Sequence, residues 1–262
     1  MSRIASAFTV PEHKALIAYL TVGYPSINAT MEIVPALESW GCDLIELGIP
    51  FSDPLADGST IQEASYRALQ QEVTSQTCLE VARKLRQKVA IPLLFMTYYN
   101  PVFSFGLDAF CSACAEAGID GLIVPDLPPE EGTELENITR SYGLDLVYLL
   151  APTSSEGRIE QVASRSRGFI YLVSLTGVTG AREALPDELE NFVARVRQKA
   201  HQPLCVGFGI STPEEALRVA KIADGVIIGS RIIQLIKEGG DTLSNLKAFI
   251  QGMRHALDEA GR

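Results

Sequence analysis

Eight short apolar segments recur along the chain, at 15–23 (ALIAYLTVG), 42–50 (CDLIELGIP), 91–98 (IPLLFMTY), 121–126 (GLIVPD), 145–152 (DLVYLLAP), 168–175 (GFIYLVSL), 203–210 (PLCVGFGI) and 225–230 (GVIIGS). Each is rich in β-branched or aromatic residues, and most are nearly continuous hydrophobic runs rather than alternations. That pattern predicts parallel strands covered on both faces. Helical patterns lie between them. Residues 29–40 carry apolar positions at helical spacing, with Pro35 expected to kink or shorten the helix. Residues 77–88 are amphipathic, with basic residues toward the C-terminal end, where they suit the helix dipole. Ser211, Thr212, Pro213, Glu214 and Glu215 read as a cap, a first-turn proline and first-turn acids. Residues 242–260 form a closing amphipathic helix. Strand and helix alternate eight times, which predicts an α/β fold, a (β/α)₈ TIM barrel occupying 1–262 as one domain.

The spacing of the runs adds detail. Successive starts are 22 to 30 residues apart, except for 49 after the second run and 35 after the sixth. Extended loops are therefore expected after strands 2 and 6, on the C-terminal face where barrel enzymes place their chemistry.

Composition narrows the function. Thirty-two Asp and Glu against 22 Lys and Arg leave a net charge of −10, which argues against a nucleic-acid partner. No apolar run reaches the ~18 residues of a membrane span. The first residues also lack the basic-then-apolar pattern of a secretory signal, so a cytoplasmic protein is expected. The five cysteines include a CxxC, Cys111 and Cys114, inside a helical stretch without a second ligand pair. Buried thiols are expected there rather than zinc or redox chemistry. His13, His201 and His255 fall outside every motif, His201 and His255 being expected in solvent, and no metal site is predicted.

Two ends of the barrel mouth carry candidate chemistry. Gly177-Val178-Thr179-Gly180, Gly207-Phe208-Gly209-Ile210-Ser211 and Ile228-Gly229-Ser230 follow strands 6, 7 and 8. Glycines there let peptide N–H groups approach an anion, and Ser230 is placed to cap a short helix whose N-terminus favours negative charge. A phosphate monoester is the expected ligand; the alternative is that the glycines only turn the chain. On strand 2, period two puts Leu44, Glu46 and Gly48 on one face and Asp43, Ile45 and Leu47 on the other. If Glu46 points inward, burial raises its pKa and keeps it protonated near neutral pH, as a general acid requires. The bland alternative is a rim carboxylate paired to lysine. Asp57 follows on the loop, where Asp57-Gly58 also reads as a turn and Ser59 or Thr60 as a helix cap. Two acids in different environments can divide proton donation from charge stabilisation.

The stretch from Glu46 through Leu-Gly-Ile-Pro-Phe-Ser-Asp-Pro-Leu-Ala to Asp57-Gly58, followed by Thr60-Ile61-Gln62, closely resembles the signature of the tryptophan synthase alpha chain family. Tyr98-Tyr99-Asn100-Pro101, Pro125-Asp126-Leu127-Pro128 and the two glycine loops at 177–180 and 207–211 extend the resemblance over essentially the whole chain. It implies a lyase that cleaves indole-3-glycerol phosphate to indole and glyceraldehyde 3-phosphate with no cofactor of its own. By that resemblance Glu46 is the acid/base at indole C3 and the side-chain hydroxyl, and Asp57 accepts the indole N–H. Tyr19, Met96, Ile123, Tyr171 and Phe208 match the apolar wall of the indole pocket, although core packing accounts for each equally well. Tyr98 is assigned to the substrate with them. Gly180, Gly209, Gly229 and Ser230 match the phosphate donors, and Thr179 the lid residue that bonds the loop aspartate. The resemblance also implies a pyridoxal-phosphate beta chain as partner in an α2β2 complex, with Asp53 and Asp126 at the contact.

Ser59 departs from the proline expected after Asp57-Gly58, and Leu175 from an arginine before the Gly177 loop. Two rivals share the glycines: a sugar-phosphate isomerase barrel, which would place its acid and base on different strands, and a catalytically silent phosphate-binding regulator, which would have no use for Glu46 and Asp57.

Overall fold

The structure, a computed structural model, describes residues 2–174, 187–207 and 209–261. Its strands are β1 (Ala15–Thr21), β2 (Leu44–Gly48), β3 (Leu93–Met96), β4 (Gly121–Ile123), β5 (Asp145–Val147), β6 (Leu149–Leu150), β7 (Ile170–Val173), β8 (Leu204–Gly207) and β9 (Gly225–Ile228). All pairings among them are parallel, in the order β5-β4-β3-β2-β1-β9-β8-β7-β6. β5 and β6 are one predicted strand interrupted at Tyr148. The Tyr148 N–H turns to the Ser166 hydroxyl at 3.1 Å, while its carbonyl still accepts the Tyr171 N–H at 3.1 Å. The ring thus nearly closes as eight staves, as the sequence predicted.

The continuous apolar runs follow from two dry faces. Ala15, Ile17, Tyr19, Leu44, Leu94 and Met96 point into the barrel with Ile123, Val147, Tyr171, Cys205 and Ile227. Leu16, Ala18, Leu20, Ile45, Leu47, Leu93 and Phe95 point outward into the helix layer. Burial on both faces removes the polar alternation a half-solvated sheet would show. Ile4, on the short helix Arg3–Ser6, joins the inner cluster.

A recurring device registers the N-terminal ends of the strands. Asp43, Asp120 and Asp224 each donate their own N–H to the carbonyl of Leu16, Leu93 and Leu204 respectively, and each accepts that same leucine's N–H on a side-chain oxygen at 2.7, 2.9 and 2.8 Å. Arg254, Arg86 and Arg197 balance the three carboxylates. Charge-assisted bonds of this kind clamp adjacent strands at the end opposite Glu46.

The long second connection holds a loop at 49–58 and two helices, Ser59–Gln70 and Ser75–Arg86. The segment 175–186, where the second extended loop was expected, lies outside the described residues. Pro35 neither ends nor shortens its helix, which runs Ile27–Ser39. Ile33, Val34 and Leu37 of that helix are buried, and their packing outweighs the hydrogen bond the proline cannot donate.

Candidate active site

Glu46 lies on β2, in register with Tyr19 of β1 and Leu94 of β3. The alternation read from sequence holds, because Leu44 faces the barrel interior while Ile45 and Leu47 face the helices. The Glu46 side chain is fully buried, and among the described residues neither carboxyl oxygen has a hydrogen-bond partner. An ionised carboxylate there would be desolvated without compensation, so burial pushes its pKa up to about 8. Glu46 is therefore a neutral acid at pH 7, able to give up a proton.

Tyr19, Met96, Ile123 and Tyr171 converge on the same interior. Burial raises both tyrosine hydroxyls, and the charges of Glu46 and Asp57 raise them further, which places the two carboxyls within electrostatic reach of both phenols. The Tyr19 hydroxyl contacts Thr21 Oγ1 at 3.2 Å. Ile61, from the helix Ser59–Gln70, completes this wall, a position the sequence reading quoted without assigning a role.

Asp57 sits on the loop above, half-buried, with its pKa raised to about 6 by burial and held back by a hydrogen bond from Tyr98. The Tyr98 hydroxyl also accepts the Ala56 N–H at 2.9 Å, and its ring packs on Phe51 with centroids 5.3 Å apart. Ser65 bonds both the N–H and the carbonyl of Phe51, and Gln62 donates to the Asp57 carbonyl at 2.8 Å. Gln62, quoted above only as part of the motif, and Ser65, which the sequence reading missed, support this loop from one and two helical turns beyond Gly58. The helix Ser59–Gln70 begins with Gly58 as its N-cap, so neither Ser59 nor Thr60 caps it. Ser59 lies inside the first turn, where its side chain cannot reach back to the N-cap position.

At the far strand ends, Gly229 is the N-cap of the helix Ser230–Glu238, and no side chain caps it. Ser230 is the first helical residue, exposed, and not the cap the sequence suggested. The first-turn N–H groups and the helix dipole favour an anion there. Gly209, two residues beyond the end of β8, has φ +81° and is exposed. Thr179, Gly180 and Phe208 lie outside the described residues.

Asp53 and Asp126 are both exposed. Asp126 accepts the Tyr99 N–H at 2.9 Å, at the start of the helix Tyr99–Phe105. All five cysteines are buried thiols. His13 pairs with Asp43 at 2.8 Å, whereas His201 and His255 are exposed. Among the described residues no cluster of His, Cys, Asp and Glu could hold a metal ion, and no helix is long and apolar enough to cross a membrane.

A parallel barrel with a buried neutral acid, an aromatic and aliphatic wall, and a second carboxylate on the rim defines a TIM-barrel enzyme of the acid–base class. A family model described as tryptophan synthase alpha chain matches residues 6–259. The chain is 57% identical to the tryptophan synthase alpha chain of Dehalococcoides mccartyi over 98% of this chain and 100% of that one, and 48% identical to that of Chloroflexus aurantiacus over 98% and 99%. Among solved structures, tryptophan synthase subunit alpha from Legionella pneumophila superimposes with a TM-score of 0.91 at 36% identity, covering 99% of both chains. A ligand-free tryptophan synthase from M. tuberculosis superimposes at 0.90 with 34% identity, covering 98% of this chain and 100% of that one. The chain belongs to the tryptophan synthase alpha chain family, and its role is in tryptophan biosynthesis as that family's lyase subunit.

Proposed function

We propose that Glu46 and Asp57 together cleave the carbon–carbon bond of indole-3-glycerol phosphate, releasing indole and glyceraldehyde 3-phosphate. The observation that carries this reading is the Glu46 carboxyl, buried among apolar and aromatic side chains with both oxygens unpartnered and its pKa near 8. Breaking a bond to an aromatic ring first requires that aromaticity be given up. Glu46 donates its proton to indole C3, giving an indolenine whose positive charge centres on nitrogen. The Asp57 carboxylate accepts the N–H and offsets that charge. The Glu46 carboxylate so formed then takes the proton of the side-chain hydroxyl. The oxygen lone pair becomes the aldehyde carbonyl, the bond between C3 and the side chain breaks, and its electrons restore the aromatic ring. Each acid–base contribution is worth roughly a hundred- to ten-thousand-fold in rate.

Tyr19, Met96, Ile123 and Tyr171, together with Phe208, form the indole wall. Gly180, Gly209, Gly229 and Ser230 hold the phosphate, and Thr179 closes over Asp57. The chain works as a single-domain cytoplasmic alpha subunit without a cofactor of its own. It docks through Asp53 and Asp126 onto a beta chain that carries pyridoxal phosphate, in an α2β2 assembly. Indole release from indole-3-glycerol phosphate, measured with and without a beta chain, tests the reading. Glu46→Gln should reduce turnover by at least about a thousand-fold. No indole from the unsubstituted chain in either condition, or unaltered turnover in Glu46→Gln, would reject it.

A further inference from the structure

Tyr98 ends the segment that follows β3 and is the N-cap of the helix Tyr99–Phe105, so its backbone is fixed by the barrel and not by the loop it touches. Its side chain is 6% exposed and its ring is packed on Phe51 at 5.3 Å. The hydroxyl reaches 42 residues back along the chain and accepts the Ala56 N–H at 2.9 Å, beside Asp57, whose carboxyl it holds below the pKa that burial alone would give. The other anchors of the loop, Ser65 and Gln62, hold main-chain atoms of Phe51, Pro54 and Asp57. Tyr98 therefore ties the loop backbone, at the residue before Asp57, to the end of β3.

We propose that Tyr98 is a positioning residue for the lyase reaction, acting through Asp57 by holding its loop and directing its carboxylate, and not principally a lining residue for indole. This rests on the reading of Asp57 as the carboxylate that faces the indole N–H. The physical logic is directional. The Ala56 N–H occupies an acceptor site on the Tyr98 oxygen, which leaves the phenolic proton free to be donated to the neighbouring Asp57. A donor to a carboxylate favours the ionised form, the form that can accept the indole N–H. The hydroxyl therefore opposes the burial that otherwise drives Asp57 toward the neutral state. Meanwhile the fixed helix cap beneath it keeps the loop's approach reproducible.

The test is a double-mutant cycle in the full-length chain, reading indole release across pH, with Tyr98→Phe, Asp57→Asn and both together. Tyr98→Phe retains the ring against Phe51 and removes only the hydroxyl. It should lower kcat about 10- to 100-fold at pH 7, the span of a hydrogen bond to a charged group, with KM changed less than about threefold. The acid limb of its pH profile should move upward, and ¹³C titration of the Asp57 carboxyl should show the same upward shift without any turnover being measured. In the Asp57→Asn background Tyr98→Phe should cost less than about twofold. As a check that needs no deletion, 3-fluorotyrosine in place of Tyr98 keeps the side chain's size, makes it a stronger donor and should move the limb downward. An equal loss from Tyr98→Phe in both backgrounds, or an Asp57 titration unchanged by Tyr98→Phe and fluorotyrosine alike, would overturn the proposal. Either result leaves the lyase reading intact, because that reading fails only if the unsubstituted chain releases no indole.

Discussion

The Tyr19 hydroxyl occupies the space that a Cβ on Gly48 would need, two residues along β2 from Glu46. The same ring lies about 3.1 Å from where a Cβ on Gly229 would stand, so it is seated between two glycines, one beside Glu46 and one capping the helix Ser230–Glu238. Gly48→Ala should push the ring aside, costing about 1–3 kcal/mol of stability and at least about tenfold in kcat/KM. Tyr19→Phe on that background should restore part of the stability, since the oxygen is the atom nearest the clash. Thermal melts and steady-state kinetics check this; full activity in Gly48→Ala would contradict it.

The two acids predict a bell-shaped pH profile. On the proposed mechanism turnover requires Glu46 protonated and Asp57 ionised, so activity should rise as pH passes about 6 and fall as it passes about 8. A profile still climbing at pH 9 would assign the proton to another group.

Glu46 should also weaken the fold it serves. Its folded pKa, about 8, lies above the ordinary 4.5, so between those values the folded state binds a proton that the unfolded state has lost. Stability therefore falls as pH rises through that window, by on the order of 3 kcal/mol at pH 7. Glu46→Gln has no such slope. Its stability advantage over the unsubstituted chain should grow from pH 5 to pH 8 and then level off, while its turnover is lost. Denaturant melts across pH would show parallel curves if this is wrong.

Ser230→Asp should separate binding from folding. A carboxylate at the first position of the helix Ser230–Glu238 suits the dipole and leaves stability unchanged or slightly raised. The same charge repels a phosphate ester, so KM should rise about 10- to 100-fold while kcat moves less than about threefold. An unchanged KM would remove this helix from the phosphate site.

Glu72 marks an avoidable strain. Three helices that precede strands end on glycines with left-handed backbone, Gly41, Gly118 and Gly143, at φ +105°, +79° and +71°. The helix Ser59–Gln70 ends with the same paired bonds, Glu72 N–H to Leu69 and Val73 N–H to Ala68, but with an exposed glutamate at φ +59°. A side chain there costs about 1 kcal/mol, so Glu72→Gly should raise Tm by about 2 °C with activity unchanged. A lower Tm would show that the glutamate contributes more than its backbone costs.

Much of the fold was legible because strand and helix leave local periodicities. What escaped was decided by neighbours remote in sequence. Pro35 stays inside its helix because Ile33, Val34 and Leu37 pack beneath it. The strand around Tyr148 breaks because Ser166 takes its N–H. The caps at Gly58 and Gly229 lie one residue before the hydroxyls that looked suited to the task, since the chain enters each helix earlier than composition suggests. The glycine-x-aspartate triplets at 41–43, 118–120 and 143–145 were visible as letters. Their meaning as a helix stop followed by the start of a strand emerged only when Asp43 and Asp120 were seen bonding the adjoining strand.

The order of elements, the face on which Glu46 lies and the two proposed acids were all written locally, in a period of two and an uninterrupted motif. The acidity of those groups was not. Glu46 is neutral because no described residue donates to it once the barrel closes, and Asp57 is held toward ionisation because Tyr98, capping a helix remote in sequence, lies against its loop. Solvation and hydrogen-bond partners belong to the assembled volume, and a linear string of residues does not specify which side chains will share it.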